Sequence, residues 1–154
     1  MKVDKNFKGL TRIENGDYVL EGDLISDETI EIDLDDRLVV RGSIISKEAI
    51  IAGCGIEAGD GIKAGCGIKA GCGIEAGESI EAGDGIEAGW GIEAGWGIKA
   101  GEGIEAKTFI SSGKRIFAGI SVYCDSQDCI KTIKCAELRA GEICYGDLII
   151  TKEE

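Results

Sequence analysis

Ile50-Ile51-Ala52-Gly53-Cys54-Gly55-Ile56-Glu57-Ala58-Gly59-Asp60-Gly61 opens a stretch, Ile50 to Ala106, in which one hexad, I-[E/K]-A-G-x-G, recurs with departures as small as Ile51 and Ser79. A short fixed period means that each unit is one supersecondary step that cannot bury its own apolar face and must stack on its neighbours, so the stretch predicts a solenoid. Ile56, Glu57 and Ala58 alternate apolar, charged, apolar. That is the pattern of a short strand with Ile and Ala inward and the charge outward. Gly59-Asp60-Gly61 then reads as a turn, its two glycines expected to supply left-handed or otherwise strained backbone at every corner. The variable residue between them is the corner tip.

The phase extends beyond the near-perfect copies. Ile32, Leu38, Ile44, Ile50 and every sixth residue to Ile116 are aliphatic, with Val122 following, and small residues keep step from Val40, Ser46 and Ala52 through Ser112 and Ala118. About fifteen hexads result. Phrases such as Ala58-Gly59-Asp60-Gly61-Ile62 and Ala64-Gly65-Cys66-Gly67-Ile68 resemble the hexapeptide-repeat proteins. The resemblance covers roughly 90 of the 154 residues and implies an all-β fold: a single-stranded parallel β-helix, triangular and left-handed, with three hexads to each coil and so about five coils.

Outside the repeat, Leu10 to Glu14, Asn15-Gly16 and Asp17 to Leu20 predict a β-hairpin with a type I′ turn. An open solenoid end would expose unpaired backbone and an apolar cross-section, so residues 1–31 are expected to be an N-terminal hairpin cap, 32–122 the hexapeptide solenoid and 123–154 a C-terminal β cap. The period breaks at Cys124-Asp125-Ser126-Gln127-Asp128-Cys129. Beyond it Ile133, Leu138, Ile143 and Leu148 fall five apart. Ala136-Glu137-Leu138, Gly141-Glu142-Ile143 and Gly146-Asp147-Leu148 look like pentapeptide repeats, another β-solenoid family; an ordinary strand-and-turn cap is the alternative.

Catalysis and metal binding find little support. Hexapeptide-family acyltransferases and carbonic anhydrases use His, of which this chain has 0, and outward Glu and Lys on a regular surface have little to tune them as bases. The glycines recur every hexad and are corners, not a phosphate loop, which would need a strand before it and a helix after. Asp60 and Asp84 lack the nine-residue period of calcium repeats. The 7 cysteines contain no C-x2-C pair of the kind that builds zinc knuckles. Cys54 and Cys72, eighteen apart, should be neighbours if three hexads make a coil. No catalytic residue, no metal and no cofactor is therefore expected.

The amino terminus has no apolar signal core and no run long enough to span a membrane, so a cytoplasmic protein with reduced thiols is expected. The formal net charge of -12 is uneven. Residues 1–50 carry net -5, 51–106 net -7, and 107–154 net 0. Sorted by a coil of eighteen, Lys63, Glu81 and Lys99 alternate and neutralise one another, whereas Glu57, Glu75 and Glu93 stack like charges that something outside should answer. Asp60 and Glu78 flank that face, and Trp90 and Trp96 bracket Glu93. Exposed tryptophans mark binding hot spots, unless each indole simply lies over neighbouring turns. Together these seven residues form the candidate partner face. The reading is a non-catalytic acidic solenoid that binds a basic protein surface, such as that of a nucleic-acid-binding protein, by imitating the charged rod of a nucleic acid, as a phage-type inhibitor of a host defence or DNA-processing protein would. It would bind no nucleic acid directly and no membrane, and homo-oligomers are compatible with it. The alternative is a structural solenoid, a filament or fibre component; a hexapeptide-type acyltransferase comes third.

Overall fold

The computed structural model describes residues 1–119 and 131–151, which form strands and no helix. The break from Cys124 to Cys129, Val122 in the hexad phase, and the boundary expected between residues 122 and 123 lie outside the described residues. Each I-x-A triplet is a three-residue strand with its first and third side chains buried, as in Ile62–Ala64 and Ile74–Ala76. Such a strand is far too short to stand alone. Stacking in parallel supplies the missing partners: Ile62 pairs with Ile80, Ile68 with Ile86 and Ile74 with Ile92, each eighteen residues on. The chain therefore climbs three strands per coil and builds three parallel ladders in a β-solenoid of about 7 turns.

The first ladder runs through Tyr18–Leu20, Leu38–Val40, Ile56–Ala58, Ile74–Ala76 and Ile92–Ala94. The second runs through Leu24–Ser26, Ile44–Ser46, Ile62–Ala64, Ile80–Ala82 and Ile98–Ala100. The third begins at Lys2–Val3 and continues through Ile30–Ile32, Ile50–Ala52, Ile68–Ala70, Ile86–Ala88 and Ile104–Ala106. The nine-residue strand Phe109–Phe117 turns the corner between two ladders, with Ile110 on Ile92 and Ile116 on Ile98. Between them runs one continuous core of stacked isoleucines and alanines. Each isoleucine so buried contributes on the order of 1.5–3 kcal/mol relative to exposure.

The structure shifts two details of the repeat. First, Ile30 pairs with Ile50, and Ile32 stacks on Ala52, so in the N-terminal coil the larger ladder is Tyr18, Leu24 and Ile30. The step from that coil to the next is twenty residues, as in Tyr18 to Leu38. The two extra residues fall between Ile32 and Leu38, where Leu34 is buried. Secondly, no glycine of the strict repeat from Ile50 to Ala106 has a positive φ. From Gly59 to Gly95 the first glycine of the turn is required by a close approach instead: a Cβ on Gly77 would stand 2.1 Å from the Gly59 carbonyl oxygen one coil below, whereas at Gly53 the nearest atom would be 3.9 Å away. The second is looser, since a Cβ on Gly73 would lie 3.5 Å from the Gly91 oxygen. Ser79 occupies that second position without disturbing its strand.

At the N-terminal end, Leu10–Arg12 pairs antiparallel with Tyr18–Leu20, and Met1, Phe7 and Leu10 pack against the core. The hairpin turn is not type I′, because Asn15 lacks the positive φ that type requires. Gly16 alone has one, at 100°, with its N–H donating to Ile13 O at 3.0 Å and Ile13 N–H to Asp17 O at 2.9 Å. This is a type I turn closed by a glycine bulge. At the other end the five-residue spacing winds the last coil. Leu138 sits on Ile110, Ile143 on Ile116, and Leu148 on Ile133, only fifteen residues before it. Gly141 and Gly146, with φ of 110° and 117°, make the tighter corners.

Candidate partner-binding face

Three columns of corner tips separate the ladders, each held by backbone bonds from one coil to the next. Cys54, Cys72, Trp90 and Thr108 form one column, Asp60, Glu78, Trp96 and Lys114 a second, and Glu48, Cys66, Asp84 and Glu102 a third. Cys72 N–H donates to Cys54 O at 3.4 Å, so these two cysteines are neighbours and Cys66 is on another corner. Burial, then the neighbouring Cys72, pushes the Cys54 thiol above its ordinary pKa.

Between the first two columns lies the outer surface of the first ladder. The parallel register sets Glu57 beside Glu75 and Glu75 beside Glu93, about 4.8 Å apart along the column. Burial raises the Glu75 pKa, and repulsion from Glu57 and Glu93 adds to it. An internal cation answers part of this charge: Arg37 reaches Asp17 and Glu57 at 2.8 Å each and Glu75 at 3.8 Å. The twenty-residue first step explains it, because Arg37 precedes Leu38 as Asp17 precedes Tyr18, and that register places one over the other. Glu93 has no ion-pair partner among the described residues. Asp35 adds to the acidity at the foot of this face; its carboxyl, held by the Tyr18 hydroxyl at 2.7 Å and by Lys5, has its pKa lowered to about 2.

Beside the glutamates lies a groove of about 690 Å³ whose walls include Arg37, Cys54, Cys72, Glu75, Trp90 and Phe109. Trp90 is 66% exposed. The Phe109 ring covers Gly91 so closely that a Cβ there would meet it at 2.5 Å, and the Arg139 guanidinium stacks on the ring at 3.7 Å from its centroid. The groove therefore combines an aromatic wall with carboxylates, suited to the alkyl stem and charged head of a basic side chain.

The structure brings Glu57, Glu75, Glu93 and Trp90 together. Asp60 and Glu78 stand on the corner beyond them, in the column that leads to Trp96. Trp96 itself borders a separate hollow of about 470 Å³ with Glu81, Lys99, Arg115 and Phe117 on the second ladder's side, and Lys114 Nζ lies 4.3 Å from its ring centroid. The two tryptophans thus flank one strand but serve different faces. Arg37 and Phe109 belong to the site and were not foreseen; the aromatic at position 109, just after the strict repeat ends, was the only visible sign of the latter.

The other outer faces are largely paired. Lys63 meets Glu81 at 3.7 Å, Lys69 meets Glu87 at 3.0 Å, and Lys134 meets Glu105 at 2.7 Å. Among the described residues no three His, Cys, Asp or Glu converge to hold a metal ion, and no helix is long and apolar enough to cross a membrane. No family model, no curated protein and no solved structure matches the chain.

Proposed function

We propose that this chain is a non-catalytic, acidic β-solenoid of the cytoplasm that binds a basic protein surface, presenting to it the linear negative charge such a surface evolved to meet on a nucleic acid. The observation that carries the reading is the in-register stack of Glu57, Glu75 and Glu93 beside an exposed Trp90. A rigid column of carboxylates steers a lysine- and arginine-lined groove toward it, and a flanking indole holds what arrives. Arg37 neutralises the N-terminal part of the stack, which shifts the proposed contact toward Glu75, Glu93 and Trp90. The column in this reading is triangular, which the three ladders support, and left-handed, as the hexapeptide resemblance implies. A phage-type inhibitor of a DNA-processing or defence protein would work in this way.

The test is affinity capture from a bacterial lysate on the immobilised chain, eluted first by graded salt and then by duplex DNA. A nucleic-acid-binding protein released by both is expected; retention of nothing, or of proteins indifferent to salt and DNA, would contradict the reading. A filament or fibre component is the second reading, favoured by the stacked architecture, and the hairpin covering the N-terminal end counts against it.

A further inference from the structure

We propose that two copies of this chain join through the C-terminal ends of their columns, in a tail-to-tail pair. The inference does not depend on the partner reading. Among the described residues, Glu137–Tyr145 pairs only with Phe109–Phe117, and Asp147–Ile150 only with Thr132–Cys135. Strands of nine and four residues thus present their outer backbone edge unpaired. The inward side chains of this rung are partly exposed too. Leu148 stacks on Ile133 and Ile150 on Cys135, yet the lower pair is 0% exposed and the upper pair 41% and 47%. Leu138 and Ile143 pack on the core from below and are only half-buried. A long apolar edge of this kind is a template for another strand edge.

Three features select a second copy as the occupant. The first is charge: in a chain of net charge -12, the described residues of this end set Lys131, Lys134 and Arg139 against Glu137, Glu142 and Asp147, so the rung itself presents both signs and does not single out a basic partner. The second is symmetry. A two-fold axis perpendicular to the column reverses the sense in which the chain winds, so each edge strand meets an antiparallel copy of an edge, and antiparallel edges pair donors with acceptors. The third is closure, since the N-terminal end is covered by the hairpin and by Met1, Phe7 and Leu10. A contact of tail on head, which would run on into a fibre, has only the short edges Lys2–Val3 and Leu24–Ser26 to use, and their inward Val3 and Leu24 are already buried.

The experiment is sedimentation of the 154-residue chain over a micromolar dilution series, for wild type, Leu148→Lys, Ile150→Lys and the control Ile25→Lys. Ile25 is 58% exposed on the N-terminal coil. Wild type and control should sediment as a pair of 16.2 kDa chains, and each end-rung lysine should weaken the pairing by roughly tenfold or more, as loss of a hot-spot contact does. Amine cross-linking of mixed isotope-labelled and unlabelled chains should join Lys131 or Lys134 of one copy to the same region of the other. A monomer at every concentration would overturn the proposal, and early melting of Leu148→Lys in that case would show that the chain covers its own end. Links from Lys2 or Lys5 to Lys134 between copies would overturn it in favour of head-to-tail stacking.

Discussion

Arg37 sets the electrostatics of the acidic face, because it holds Asp17 from below and Glu57 and Glu75 from above. Its two kinds of partner respond oppositely to pH. Asp17 is nearly buried, and the Arg37 hydrogen bond lowers its pKa. A carboxylate whose folded pKa lies below its unfolded value near 3.9 stabilises the fold fully above that pH and loses the contribution as pH falls through the folded pKa. Asp17→Asn should therefore cost about 1–3 kcal/mol at neutral pH, and the difference from wild type should shrink in urea titrations run toward pH 3. An equal cost at both pH values would mean that charge is not the cause. Glu75 has the reverse sign: burial, then Glu57 and Glu93, raise its pKa, so its ionisation opposes folding as pH rises above about 4.3. Glu75→Gln should melt higher than wild type at pH 7 and lose that advantage near pH 4; a lower melting point at pH 7 would contradict the assignment.

At the scale of the strand and its corner, the hexad made both inward positions legible, and the ladders from Ile56 to Ile104 and Ala58 to Ala106 are buried as their spacing requires. Ile74→Ala should cost roughly 2–5 kcal/mol through the cavity it leaves, read as a fall in melting temperature. Counting sixes backward from Ile50 reaches Ile32 rather than Ile30, because Ile30-Glu31-Ile32 is aliphatic at both inward positions and residue type cannot tell them apart. Only pairing distinguishes them. The corner glycines looked alike for a similar reason, since sequence shows the absence of a side chain but not whether backbone angle or a close neighbour demands it. Their difference is testable. Gly77→Ala forces a Cβ against the Gly59 carbonyl and should cost about 1–3 kcal/mol or more, whereas Gly73→Ala meets only an ordinary contact and should be neutral or stabilise by about 0.4–1 kcal/mol. Equal melting points for the two variants would refute the close-approach account.

Across the whole molecule, coil length was legible because Glu57, Glu75 and Glu93, and likewise Cys54 and Cys72, could be placed by counting eighteens. Facing was not: Trp90 and Trp96 have the same place in consecutive hexads, yet Trp90 opens onto the glutamate groove and Trp96 onto the side of Lys99. Nor was the role of Arg37 legible, because a twenty-residue first step, which only strand pairing reveals, brings it over Asp17. The split between the tryptophans makes the binding claim sharper. Trp90→Ala should speed dissociation of a captured partner by an amount worth about 2 kcal/mol, and Trp96→Ala should change it little. The most direct measurement is a kinetic titration of that partner at graded salt against wild type, the double variant Glu75→Lys/Glu93→Lys, and the control Lys63→Glu/Lys99→Glu on another face. Slower association and a flatter salt dependence in the glutamate variant alone are predicted, because charges at the edge of an interface govern encounter and screening; equal losses from both variants, or none from either, would contradict the assignment of this face.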